Sequence, residues 1–400
     1  MRSNQHILPL IFVFLALMYT LWFVFAGFGN HLDPLYWLYK YEHLEGGWMA
    51  VGTLLTGGMI VRIFGAELLS LRLAGWLTVV TAILLPYCTL LNQEERRKNL
   101  IWLAFTFLLM GYGSYQEFSP GTLSVLLLSA IWVTVVLSRE KSTIQFPMSI
   151  LTAVLAGLAV SARFPNILVL PVLIPIWNKR SLWCVPIAAI TAGIVYLTGY
   201  FCITPAPMDA AMSSHDLMEM LSKLWENSGK LIGYMLMAVG VVAFPHRDKR
   251  FMGWLVGLGL ALVVLYTTKP HQWYNIDLTY LLSALCIVIA LLRQKNDPFA
   301  IGVIILIIAT LGTDTAWLKL FPAVLCLLPI ALSRYTEIAD RRYFIGVLTV
   351  LSAVVVFRMT TNSIGQSDLT KADTFASISP YRGIAILEIS SIMMMIPQMP

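Results

Sequence analysis

The chain has 400 residues, of which 58% are apolar and 12% charged, and a formal net charge of +6. Soluble globular proteins carry about 25% charged residues, so ordinary soluble domains are excluded until about residue 358, where the first sufficiently polar stretch begins. Nor does the positive charge point to nucleic acid, because the basic residues sit in short loops between apolar runs, where they set membrane topology.

The first apolar run, residues 7–27, has the length a bilayer requires and follows Arg2. It is expected to be a retained first span, although Ala26-Gly27 would also suit a signal-peptidase site. A long outer loop, residues 28–72, comes next, and Asp33 lies just past the span, followed by Pro34, Tyr36 and Trp37. Such a carboxylate can serve as a general base or as a turn device before proline.

Residues 48–66 are apolar but contain Gly57-Gly58 and Arg62. Charge decides whether they cross. If they lie flat on the outer surface, the loops holding Arg2, Arg96-Arg97-Lys98, Arg139/Lys141, Lys179-Arg180, Arg247/Lys249/Arg250, Arg293/Lys295 and Arg334/Arg341/Arg342 share one side. Those loops hold 16 of the 27 basic residues. Further spans are expected at about 73–92, 99–113, 121–138, 147–162, 166–177, 182–201, 229–244, 251–267, 277–292, 299–312, 317–333 and 343–357. The fold class is thus all-α integral membrane: a polytopic bundle of about 13 transmembrane helices over residues 1–357, with interfacial helices in the first outer loop, an inner N-terminus and a short outer tail at 358–400.

The outer loops carry the remaining candidates. Glu117, between the third and fourth spans, is an outward acid suited to acid/base work or to capping a helix. Arg163, after Ser161-Ala162, offers a planar fork to a phosphate or snorkels to the interface. The loop 202–228 carries Asp209, His215, Asp216, Glu219 and Glu226. Lys269, His271, Trp273 and Tyr274 share one short loop, where the cations can neutralise a phosphate and the aromatics can grip a lipid or a sugar, or simply form an aromatic belt. His43 and His215 stand alone. The five cysteines are scattered, without CxxC or Cys/His spacing, and imply neither a disulfide framework nor a metal cluster.

Taken in order, four segments resemble the GT-C superfamily of membrane glycosyltransferases, especially bacterial enzymes similar to protein O-mannosyltransferases and aminoarabinose transferases. They are Asp33 with Tyr36, the stretch Ile63-Phe-Gly-Ala-Glu-Leu-Leu-Ser-Leu-Arg-Leu73, Leu155-Ala-Gly-Leu-Ala-Val-Ser-Ala-Arg-Phe-Pro-Asn166, and Lys269-Pro-His-Gln-Trp-Tyr274 with Leu281-Leu282. The chain departs from the family in having Pro34 where an acid often follows Asp33, Gly46-Gly47-Trp48 in place of a proline pair, Gly121 where many members carry Asp, and no proline after Leu281-Leu282.

The resemblance implies an inverting transfer from a polyprenyl-phosphate-linked sugar, such as an undecaprenyl phosphate donor, at the outer face of a bacterial inner membrane. Asp33 would act as base and Glu117 would orient the acceptor or Asp33. Arg163, Lys269, His271 and Arg72 would hold the donor phosphate, with Arg72 alternatively pinning the first loop. Tyr36, Trp273 and Tyr274 would touch substrate. No cofactor is implied and no divalent metal is indicated; the partners are the lipid-linked donor, a lipid, glycan or protein acceptor, and membrane lipids, with no nucleic acid. The competing readings are a transporter or flippase of lipid-linked saccharides and a non-catalytic membrane scaffold. The lack of a clear internal repeat weighs against a transporter.

Overall fold

The structure, a computed structural model, describes residues 7–25, 32–110, 117–174, 183–205, 217–243, 258–259, 276–292, 297–310, 320–335, 341–361, 374–375 and 385–386; some side chains within these helices, that of Asp33 among them, are left undescribed. The helices are α1 (Ile7–Phe25), α2 (Leu32–His43), α3 (Val51–Phe64), α4 (Leu68–Leu90), α5 (Gln93–Lys98), α6 (Leu100–Met110), α7 (Pro120–Glu140), α8 (Gln145–Ala162), α9 (Val169–Leu173), α10 (Cys184–Cys202), α11 (Leu217–Ala243), α12 (Ile276–Leu291), α13 (Pro298–Leu306), α14 (Phe321–Tyr335) and α15 (Arg341–Thr361). Among the described residues, five helical stretches are long and apolar enough to cross a membrane (Ile7–Phe25, Leu68–Leu90, Pro120–Glu140, Ser142–Ala162 and Cys184–Cys202), and shorter apolar helices accompany them. This is the architecture of a helical membrane protein, in which every backbone polar group at bilayer depth is satisfied within its own helix.

Hydrogen bonds between helices fix their directions. Trp76 Nε1 donates to Thr20 Oγ1 at 2.9 Å and Arg72 Nη1 to the Val24 carbonyl at 3.5 Å, so α1 and α4 run antiparallel. Phe118 N donates to Leu71 O at 2.8 Å and Ser129 Oγ to Ala82 O at 2.8 Å, so α4 and α7 run parallel, with α6 returning between them. Thr152 Oγ1 donates to Thr134 Oγ1 at 2.9 Å within the antiparallel α7–α8 pair. Cys184 Sγ lies 3.5 Å from Ser149 O, while Gly157 faces Ala188 and Thr191, so α8 and α10 run parallel. The 3₁₀ turn Phe164–Leu168 and α9 begin the return between those two. Small residues let the backbones approach, as expected where apolar lipid gives helices no hydrophobic reason to associate. The ring of Trp132 fills the space a side chain at Gly302 would need.

One end of the bundle is basic. Asn92 caps α5 in a reciprocal box with Glu95, which starts the Arg96-Arg97-Lys98 turn. Asn99 Nδ2 donates to Ser333 Oγ at 2.6 Å in a buried contact. Arg334 lies 3.5 Å from Glu95. Arg341 donates to Lys98 O and stands over the Trp102 ring at 5.6 Å. The basic loops 96–98, 334 and 341–342 therefore share an end, as charge patterning requires.

At the opposite end, α2 and α3 lie across the helix tips. Thr53 Oγ1 donates to Ala162 O at 2.8 Å, at the last residue of α8. From Gly65 the chain turns directly into α4, whose Leu71 meets Phe118. Both ends of α3 are thus held at one end of the bundle, and the stretch 48–64 does not run its length. Its Trp48, Met49, Met59, Ile63 and Phe64 are exposed, while Leu54 and Val61 pack with Leu38, Tyr41, Leu68, Leu71 and Phe118. A two-residue parallel pairing, β1 (Glu45–Gly46) with β2 (Thr204–Pro205), ties this layer to the exit of α10. A second short pairing joins β3 (Thr374–Phe375) and β4 (Ala385–Ile386).

Most expected spans fall within a few residues of described helices, and three boundaries are corrected. The first loop was expected to run to residue 72, but α4 begins at Leu68 and Arg72 is a buried helical residue. An outer loop was expected over 202–228, yet α11 already starts at Leu217 and includes Glu219 and Glu226. There Leu217, Leu221, Leu224 and Leu231 recur at helical spacing, a pattern that an unbroken apolar run does not capture. The tail was expected from residue 358, but α15 continues to Thr361. The span expected at 251–267 lies almost wholly outside the described residues.

Candidate functional site

Two groups of buried polar side chains sit at the α2–α3 end, around the first two turns of α7. The first is built on the segment entering α7. Ser119 caps that helix: its Oγ accepts from Thr122 N at 3.5 Å, and Thr122 Oγ1 accepts from Ser119 N at 3.0 Å. The preceding backbone is held from two sides. Phe118 N donates to Leu71 O of α4, and Tyr41 of α2 donates through its hydroxyl to Phe118 O at 3.2 Å.

This clamp buries Glu117, at 8% exposure, where its charge interacts with that of Arg72, at 7%. Arg72 also reaches the Val24 carbonyl at the tip of α1. Burial first, and then the neighbouring Glu117 charge, push the Tyr41 phenol well above its usual range, so Tyr41 remains a neutral donor. Glu117, expected as an acid of an outer loop between two spans, is thus a buried group beside Arg72 of α4 and Tyr41 of α2, just ahead of α7.

Gly75 makes that fit possible, because a Cβ there would lie 2.3 Å from the Glu117 carbonyl carbon. Backbone cannot yield as a flexible side chain does. Gly75→Ala is expected to cost about 1–3 kcal/mol through overpacking, measured as a lower melting temperature of the purified protein in detergent.

The second group is the turn after α8. The small residues Ser161 and Ala162 bring the end of that helix close to α3, where Ser161 fills the space beside Gly52. Arg163 then leaves the helix in an extended conformation, and Asn166 N donates back to Arg163 O at 2.9 Å, closing the turn. Arg163 is 9% exposed. Its Nη1 donates to Ala309 O at 2.9 Å, beyond α13, and its Nη2 has no hydrogen-bond partner among the described residues. Burial pulls its pKa down to about 10, still far enough above neutrality to keep it cationic.

Asn166 is fully buried. Its Nδ2 donates to Ser124 Oγ of α7 and to Ala159 O, both at 2.8 Å, while its Oδ1 has no partner among the described residues. Because Ser124 lies in the second turn of α7 and Glu117 just precedes that helix, the two groups flank one helix start.

A third element is α2 itself. Asp33 and Pro34 open it, where an acid suits the positive end of the helix dipole. Two turns further on, Lys40 is 5% exposed and its Nζ stands 4.5 Å from the centroid of the half-buried Tyr36 ring, a cation–π contact. Sequence reading singled out neither Lys40 nor Asn166. Lys40 carried a usable signal, since it lies seven residues from Asp33 and four from Tyr36 on a helix. Lys269, His271, Trp273 and Tyr274 lie outside the described residues, so the structure brings together Arg72 with Glu117, and places Arg163, Tyr36 and the α2 position of Asp33 at the same end.

Among the described residues no three His, Cys, Asp or Glu side chains form a metal-binding group. Chemically, the arrangement offers a buried cation with a spare donor and a neutral phenol. Comparisons with known protein families, with curated proteins and with solved structures return no match. Function must therefore be argued from the site.

Proposed function

We propose that the chain is a membrane glycosyltransferase of the GT-C type that moves a sugar from a polyprenyl-phosphate-linked donor to an acceptor hydroxyl. The observation that carries this reading is Arg163: a guanidinium buried at the rim of a helical membrane bundle, with Nη2 lacking a partner among the described residues. A charged group held this way costs stability unless something anionic completes it, and a lipid phosphate reaches such a position from the bilayer. The helical layer across this end, which carries Asp33, supports the same reading.

In the reaction, the acceptor oxygen attacks the anomeric carbon and its proton passes to Asp33. The bond from that carbon to the phosphate oxygen breaks, and the negative charge leaves on the polyprenyl phosphate. Arg163, assisted by Lys269 and His271, stabilises that developing charge. Arg72 and Glu117 hold the site in shape, and Tyr36, Trp273 and Tyr274 contact substrate. The full bundle has 13 spans in a bacterial inner membrane, with the α2–α3 end outside and the basic end inside.

The test uses the full chain in proteoliposomes with radiolabelled undecaprenyl-phosphate hexoses and pentoses and an extract of cellular acceptors. Release of undecaprenyl phosphate together with label on an acceptor is the expected result. Movement of intact donor between leaflets without cleavage would instead identify a flippase, and neither event with any donor would leave a scaffold.

A further inference from the structure

Asn166 carries chemistry that the transferase reading does not use. Its Oδ1 is a buried acceptor without a partner among the described residues, one turn from the equally unpartnered donor Arg163 Nη2. Rotating the amide to satisfy one of its atoms would break the bonds that Nδ2 makes to Ser124 and Ala159. Native interiors seldom leave such groups unmet, so each calls for a ligand or an ordered water. The same turn exposes Phe164 (44%), Ile167 (40%) and Leu168 (44%), an apolar face beside the two polar groups. A ligand satisfying all three features has an anionic oxygen, a hydroxyl close to it and an apolar tail.

We propose that the Arg163–Asn166 turn binds a glycosyl phosphate headgroup, Arg163 Nη2 donating to a phosphate oxygen and Asn166 Oδ1 accepting from a sugar hydroxyl, which makes Asn166 a specificity-determining residue. The choice of a sugar over other hydroxylated anions rests on the transferase reading, but binding itself does not require catalysis. The Arg163 guanidinium stays cationic through neutral and mildly alkaline pH, so capture is expected to be flat over that range.

The experiment measures binding by the purified full chain in detergent, using hexose 1-phosphate, inorganic phosphate and the free hexose as probes. Hexose 1-phosphate should bind about tenfold more tightly than inorganic phosphate, the increment of one good hydrogen bond, and free hexose should not bind measurably. Arg163→Gln should abolish binding of both phosphates. Asn166→Leu should remove the tenfold preference while leaving phosphate affinity unchanged. Because Asn166 also braces the turn, Ser124→Ala is the control: it removes one of the Nδ2 contacts but spares Oδ1, and should retain the preference. Equal affinity for the two phosphates in the wild type, or equal loss of preference in Ser124→Ala and Asn166→Leu, would overturn the proposal, as would no binding at all. Preferential binding without sugar transfer would overturn the enzymatic reading alone, and transfer without the preference would overturn this inference alone.

Discussion

Asp33→Asn is expected to reduce sugar transfer by roughly 10²–10⁴-fold, the range contributed by a positioned general base. The amide has nearly the same size and can still sit in the first turn of α2, but it cannot accept the acceptor's proton. The rest of α2 should keep its place, because Tyr41 still donates to Phe118 O and Leu38 and Tyr41 remain packed against α3 and α4. The loss should therefore fall on kcat, with donor binding and the melting temperature unchanged. Near wild-type turnover with a matched donor would remove Asp33 from the chemistry and shift attention to Lys40 and Tyr36 on the same helix.

Arg72→Leu should have the largest effect on stability. It leaves Glu117 buried without the cation whose charge it meets and removes a bond to the tip of α1. Breaking one side of a buried ion pair costs about 3–5 kcal/mol, whereas replacing both partners by apolar residues of similar size is often neutral. The double variant Arg72→Leu/Glu117→Leu should therefore melt well above the Arg72→Leu single, and the shortfall of its loss from the sum of the two single losses measures the coupling. If the double loses as much stability as the two singles added together, Glu117 and Arg72 act independently.

The bundle was largely legible because bilayer depth imposes continuous apolar runs, and those runs mark helices whatever their tertiary partners. Thus α7 and α8, expected at 121–138 and 147–162, appear at Pro120–Glu140 and Gln145–Ala162. The same logic hid the start of α11, whose first turns alternate leucine with glutamate and lysine and so resemble a loop on a hydropathy scale. It also misplaced Arg72. A charge at the edge of an apolar run looks like a loop residue, yet a buried counter-charge supplied by the next loop allows the helix to continue through it.

The candidate site was legible only as residue types. Arg163 was recognisable as a rim cation, but its unsatisfied nitrogen depends on Ala309, far away in sequence, accepting from only one side of the fork. Asn166 had no signal beyond a polar residue after proline. Its role appears only when α8 brings it beside Ser124.

The pairing of Glu45–Gly46 with Thr204–Pro205 has a consequence for biosynthesis. Roughly 160 residues separate the partners, so at 5–20 residues per second the ribosome needs on the order of 8–30 s between making the first and making the second. Throughout that interval the α2–α3 layer has only part of its anchorage: Tyr41 can find Phe118 early and Thr53 finds Ala162 later, but the final tie waits for α10 to emerge. A nascent chain truncated before residue 204 would carry nearly all of α10 and its predecessors and still lack this last tie. Protease cleavage near Gly46 should therefore fade only once the arrested chain extends past Pro205.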